Sequence, residues 1–178
     1  MELKNGLVIT IRDAVSADMK EVHQMCADLI LYQKLPYEAM DQELFLKQSG
    51  LFSPNTTPFF HVYVAEATDA SGNKTLAGYS LDYFMYKTSE KGHTLFIEDL
   101  FVKEAFRGQC VGHLLLKENA IRTKNNHGIC MKLECLDWNP AKKFYESHGG
   151  KWDGFKTRPD AITYVYDEAV VDALINAK

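Results

Sequence analysis

The sequence predicts an α/β (α+β) fold with a mixed central sheet, and three observations carry that prediction. Leu95-Phe96-Ile97-Glu98-Asp99-Leu100-Phe101-Val102 is an apolar strand with no obvious wet face, so it is expected near the middle of a sheet, buried on both sides. A small-residue turn, Arg107 to Gly112, then feeds a helical pattern, and a second apolar strand, Ile129 to Leu136, follows that helix. A strand returned by a helix runs parallel to its predecessor. Upstream, two alternating runs around a short turn read as an antiparallel meander.

The elements follow in order. Leu7 to Arg12 alternates as a strand, and Ser16 is the expected cap of a helix whose buried stripe is Val22, Met25, Cys26, Leu29 and Tyr32. Leu35-Pro36 ends it, because the residue before proline avoids helical dihedrals. A short helix spans Asp41 to Gln48 with Gly50 as a left-handed cap, and a loop runs on to Pro58. Phe60 to Ala67 and Leu76 to Tyr86 are strands about the turn Asp69 to Asn73, and Lys87 to Gly92 turns into the central strand. Beyond Asp137-Trp138-Asn139, a helix from Pro140 carries Ala141, Phe144, Tyr145 and His148 along one side and stops at Gly149-Gly150. Ala161 to Asp167 reads as a last strand and Glu168 to Asn176 as a terminal helix.

Composition bounds the function. The 178 residues fit a single domain, 46% hydrophobic and with net charge −4, and no Lys/Arg block forms a stripe. Nucleic acid and anionic membrane are therefore poor partners, and a cationic substrate suits the charge better. No signal peptide or apolar run of about 18 residues is visible, so a cytoplasmic protein is expected. Cys26, Cys110, Cys130 and Cys135 lack a framework spacing and read as reduced thiols. Cys130 and Cys135 face opposite sides of a strand, so His127 with them makes a poor zinc site, and no metal is expected.

The chemistry concentrates around the central strand. Burying an unpartnered carboxylate costs several kcal/mol, so Glu98 and Asp99 either pair, with Arg12 or Arg107, or border a cleft. The turn Arg107-Gly108-Gln109-Cys110-Val111-Gly112 presents helix N-terminal amides and the positive end of the dipole, which suit a phosphate, with Arg107 at the rim.

These residues carry a resemblance. The turn resembles the pyrophosphate loop of the GNAT N-acetyltransferases, usually Arg/Gln-x-x-Gly-x-Gly/Ala, and the Glu98-Asp99 strand resembles the diamine (spermidine/spermine) and thialysine acetyltransferase branch. Asn139-Pro140-Ala141-Lys142-Lys143-Phe144-Tyr145 resembles the Asn-x-x-Ala-x-x-Phe/Leu-Tyr helix of the family with one residue missing after Asn139. Cys110 stands where the pattern wants glycine, and is read as a tolerated small residue rather than one at positive φ. The resemblance implies a GNAT fold whose two central parallel strands splay apart, helices on both faces, acetyl-CoA as co-substrate and a homodimer.

By the same resemblance, Leu100, Phe101 and Val102 offer main-chain groups to the pantetheine and acetyl carbonyl. Gly108, Gln109, Cys110, Val111, Gly112 and His113 cradle the phosphates with Arg107, and Asn139 and Ala141 lie on the cofactor. Glu98 is the expected base acting through water, and Tyr145 the acid for the departing thiolate. An alkyl ammonium near pKa 10.4 must lose a proton before it attacks, which is why a base is needed. Tyr32, Gln33, Glu98, Asp99 and Glu134 are the candidate acceptor residues, Asp99 for a second ammonium of a diamine. Gln33 stands where polyamine enzymes have an acid, and the Lys87–Gly92 loop lacks that branch's tryptophan, so a thialysine or lysine-like amine is as plausible as a polyamine. Rival readings are a Cys110–His113 acyl-cysteine enzyme, an acetyl-CoA sensor with little turnover, a protein-lysine or aminoglycoside acceptor, and Tyr145 as core filling.

Overall fold

The computed structural model describes residues 1–3, 6–35, 41–51, 57–88, 92–154 and 158–177. Within them run β1 (Val8–Asp13), α1 (Met19–Tyr32), α2 (Gln42–Gln48), β2 (His61–Thr68), β3 (Lys74–Lys87), β4 (Gly92–Val102), α3 (Val111–Asn125), β5 (Cys130–Leu136), α4 (Lys142–Ser147), β6 (Lys151–Trp152), β7 (Ala161–Tyr166) and α5 (Glu168–Asn176). The strands form one sheet in the order β1-β2-β3-β4-β5-β7-β6. β1 and β2 are antiparallel, and β4 and β5 are parallel as the intervening helix requires. Two residues long, β6 is too short for any alternation to announce it, and it joins the edge by pairing Trp152 with Tyr164. The contacts divide the chain into two compact units, residues 1–81 with 99–115, and residues 82–98 with 116–178.

In the first unit α1 starts two residues later than expected. Ser16 does not cap it: its hydroxyl donates to the Leu51 carbonyl at 2.7 Å, and Asp18 is the residue before the first turn. The Asp18 carboxylate is taken by Arg12 at 2.7 Å and by the Val15 amide at 2.8 Å, and Arg12 also bridges to Glu66 at 2.8 Å. The inner face of α1 is Met19, Val22, Met25, Cys26 and Leu29, packed with Phe45, Val62, Val64, Leu76, Tyr79, Leu81 and Phe101. Each such buried side chain contributes about 1.5–3 kcal/mol. Tyr32, expected on this stripe, is the last residue of the helix and is 38% exposed, and the chain then turns at Lys34 with φ +58°. Pro36 and residues 52–56 lie outside the described residues. The second helix agrees with its sequence reading: Asp41 accepts from the Leu44 amide at 3.1 Å, and Gly50 closes the end at φ +72°.

In the second unit Leu95, Ile97, Met131, Leu133, Tyr164 and Tyr166 are fully buried. The helix expected from Pro140 begins at Lys142 after a turn, and Gly149 at φ +87° ends it. At Gly150 a Cβ would lie 2.8 Å from the Tyr166 hydroxyl and 2.9 Å from the Tyr145 carbonyl, so only glycine fits. Asp167 ends β7 by capping α5 through the Val170 amide at 3.0 Å. The buried Asp82 pairs with Arg122 at 2.8 Å, and Arg122 lies over the Phe84 ring.

Candidate active site

Glu98 and Glu134 are placed by the end of a ladder. The parallel pairing of β4 with β5 runs from Thr94↔Cys130 to Ile97↔Leu133, and the next residues on the two strands are Glu98 and Glu134. The sequence reading had β4 buried on both sides throughout. Its first half is, at Thr94, Leu95 and Ile97, but where the pairing stops Glu98 is exposed. The Tyr83 hydroxyl donates to Glu98 Oε2 over a long 3.4 Å, and the Tyr83 ring packs 5.5 Å from Phe96. Surrounding protein strips enough water from the Glu98 carboxyl to raise it above the ordinary carboxylate range; the Glu134 charge adds to this and the Tyr83 hydrogen bond opposes it. Tyr83 is itself pushed up to about 12, by burial first and by Glu98 second. A carboxylate raised in this way is a stronger base than an ordinary one.

Asp99, next in the chain, belongs to the first unit and has different neighbours. Tyr79 donates to its Oδ2 at 2.9 Å, and the buried Cys26 thiol touches both groups. Burial raises the Cys26 thiol to about 12 and the Tyr79 phenol well above its usual value, with the Asp99 charge adding to each. On this stretch β3 and β4 run very close: a Cβ on Gly78 would collide with the Phe101 carbonyl and lie 3.1 Å from the Val102 Cα. Neither arginine weighed as an acid partner is arranged for that role. Arg12 is held by Asp18 and Glu66, while Arg107 Nε donates to the Val102 carbonyl at 2.9 Å with its guanidinium over the rings of Tyr32 and Phe101.

The turn after β4 corrects the reading of Cys110. A 3-10 turn, Glu104–Phe106, leads through Arg107 to Gly108 at φ +70°, whose Cβ position is open space. Cys110 stands at φ +63°, so the position demands the left-handed conformation and not merely a small side chain; for cysteine this costs about 1 kcal/mol. It is exposed and its carbonyl accepts from Leu114, opening α3. Gln109 is turned back onto the Ala105 carbonyl at 3.0 Å. Val111 is buried, Gly112 and His113 are half-buried, and the first amides of a helix have no carbonyl of their own helix to bind. An open glycine, these amides and the positive helix end are a donor set that fits a diphosphate.

Tyr145, in the second unit, is 8% exposed, with its ring 5.3 Å from Phe144 and 5.9 Å from Tyr164. Its carbonyl accepts from the Gly150 amide and from the Tyr166 hydroxyl, which fixes the backbone that carries the phenol. Asn139 is nearly buried, and its Oδ1 accepts from the Ala141 amide at 2.9 Å, so the side chain caps the turn into α4. Gln33 follows the last turn of α1, its amide bound to the Leu29 carbonyl. Sequence reasoning missed Tyr83, Tyr79 and Cys26 as partners of the acids, because their meeting depends on strand pairing and helix docking that no local pattern encodes.

Among the described residues no group of three or more His, Cys, Asp or Glu is arranged to hold a metal ion, and no helix is long and apolar enough to cross a membrane. Residues 58–149 match the family model described as an acetyltransferase (GNAT) domain. The chain is 32% identical over 165 residues to thialysine N-epsilon-acetyltransferase of Bos taurus, covering 86% of this chain and 95% of that protein. It is 34% identical to the enzyme of the same name from Mus musculus, covering 85% and 94%. Among solved structures, Arabidopsis thaliana NAA60 in complex with acetyl-CoA superposes with a TM-score of 0.65 at 16% identity, covering 91% of this chain and 99% of that one.

Proposed function

We infer the reaction from one premise: the chain belongs to the GNAT acetyltransferase family. It is an acetyl-CoA-dependent N-acetyltransferase, and the acceptor we propose is a primary amine of a small molecule, of thialysine, lysine-like or polyamine type. Transfer is by direct attack in a ternary complex. The observation that carries this reading is the raised Glu98 carboxyl beside Glu134, a base with a second negative charge next to it.

When bound, acetyl-CoA supplies an acyl group activated as a thioester. In the proposal the amides of Gly108 to His113, with Arg107, bind its diphosphate. Main-chain groups of Leu100, Phe101 and Val102 hold the pantetheine and acetyl carbonyl, where fixed donors stabilise developing negative charge without reorganising. Glu98 takes the proton from the acceptor ammonium through water. Tyr145 donates its phenolic proton to the sulfur as the new N–C bond forms and the C–S bond breaks. Asn139 and Ala141 shape the turn that presents Tyr145, and Tyr32, Gln33 and Asp99 contribute to acceptor binding. The four free thiols suit a cytoplasmic setting. A homodimer is part of the proposal on family resemblance, with light scattering as its check.

The left-handed backbone at Cys110 weakens the sensor alternative, because the turn holds the conformation glycine ordinarily supplies. Thiol release measured with thialysine, lysine, spermidine and aminoglycosides is the test. Release with a small dibasic amine is the expected result; calorimetric binding of acetyl-CoA with no release for any amine would favour the sensor. Tyr145→Phe is expected to lower kcat by about 10²-fold with acetyl-CoA affinity unchanged, and equal losses in both would remove the phenol as the acid.

A further inference from the structure

Four polar side chains of the second unit, Tyr83, Glu98, Glu134 and Thr163, stand in a row across four adjacent strands, and Thr163 has no part in the transfer described above. Phe96↔Lys132 is an in-register pair, so Glu98 and Glu134, each two residues further on, return to that same face of β4 and β5. Tyr83 reaches Glu98 from β3. On the other side of β5, Glu134 is the antiparallel partner of Thr163 on β7, and facing residues of such a pair project from one face with Cβ atoms about 5 Å apart. Thr163 is 4% exposed, and its hydroxyl has no hydrogen-bond partner among the described residues. A buried, unsatisfied hydroxyl is costly, so its place beside a half-buried carboxylate calls for a ligand.

The geometry points to a distal acceptor subsite formed by Glu134 and Thr163, which takes the second ammonium of a dibasic acceptor whose reacting amine lies at Glu98. Glu134 supplies the opposite charge, and the Thr163 hydroxyl accepts one of the remaining N–H groups of that ammonium. β4 and β7 are two strand spacings apart, roughly 10 Å, so the row runs crosswise to the strands and suits an extended chain with a nitrogen at each end. Asp99 serves this second charge less well, because one of its oxygens is already held by Tyr79. The subsite rests on the acetyl-transfer reading for the identity of its ligand, but not for its own existence.

The test compares cadaverine with pentylamine, which differ only in the second nitrogen. Thr163→Val is expected to raise KM for cadaverine about threefold to tenfold while pentylamine changes less than about twofold, and Glu134→Gln, which also removes a charge beside Glu98, is expected to raise KM for cadaverine about tenfold or more over whatever change it makes for pentylamine. Thr163→Ser keeps the hydroxyl and should retain wild-type values, which separates its loss from a packing defect. Equal shifts for both amines, or none for either, would overturn the subsite. Should the wild-type protein release no thiol with any amine, calorimetry with cadaverine in the presence of CoA decides separately. Binding lost in Glu134→Gln and Thr163→Val would support the subsite and reject only the reaction; binding unchanged in both would reject the subsite.

Discussion

Glu98 and Asp99 are consecutive in the chain, yet the hydrogen bonds that describe them come from different tyrosines, Tyr83 for one and Tyr79 for the other. Glu98 lies where the β4–β5 ladder has ended, exposed, contacted weakly by Tyr83 and pushed upward by partial burial and by Glu134. Asp99 is gripped at 2.9 Å by a fully buried tyrosine and touched by a buried thiol. Strand alternation is the cause: adjacent residues point to different surroundings, so two identical functional groups meet different partners.

Exchanging the two acids for their amides is the severest test of this difference. Glu98→Gln is expected to lower kcat by about 10²–10⁴-fold and abolish the acidic limb of the pH–rate profile. Asp99→Asn is expected to act mainly on KM for the amine, by roughly tenfold. Steady-state kinetics across pH decides; an acidic limb that survives in Glu98→Gln removes it as the base.

Next in size is Gly78→Ala, which adds a methyl where β3 meets the Phe101 carbonyl on the Asp99 side. A backbone atom cannot rotate away, so we expect a loss of about 2 kcal/mol, a fall in Tm of roughly 4–8 °C, and weaker acetyl-CoA binding. A scanning melt with unchanged Tm would show that the two strands can separate there without cost.

Smaller still are the two tyrosines. The Tyr83 hydrogen bond lowers the Glu98 pKa, so Tyr83→Phe should raise it, and the acidic limb should move to higher pH. Tyr79→Phe, which removes a hydroxyl from Asp99 and Cys26 and leaves the hydrogen bond to Glu98 in place, should leave that limb where it is. Parallel movement in both variants would mean that the acids are not held independently. The smallest effect belongs to Cys110→Gly. Relief of the left-handed strain is partly offset by greater freedom of the unfolded chain, so Tm should rise by about 1–3 °C, whereas Cys110→Ala should give no rise.

Much of this was legible in the residues themselves. The parallel relation of β4 and β5 followed from an intervening helix, α2 from its spacing and the Gly50 cap, α5 from its spacing, and the helix start after Gly108 from the small-residue turn. These are local rules, satisfied within a few residues. Ser16 as a cap failed because Arg12, Asp18 and Glu66 form an ion cluster across three segments of the first unit, leaving Asp18 in place and sending Ser16 to Leu51. Tyr32 failed as a core residue because it is the last residue of α1, where its ring lies under the Arg107 guanidinium instead of in the apolar cluster.

By itself, then, the sequence determined the element order and the family motifs, because each depends on near neighbours or on a short pattern. Only the tertiary structure decided what surrounds them: Tyr83 and Glu134 at Glu98, Tyr79 and Cys26 at Asp99, Thr163 opposite Glu134, and positive φ at Cys110. Those relations arise from strand register and helix docking between segments tens of residues apart, and a carboxylate's strength as a base is set by such distant neighbours rather than by the residues beside it in the chain.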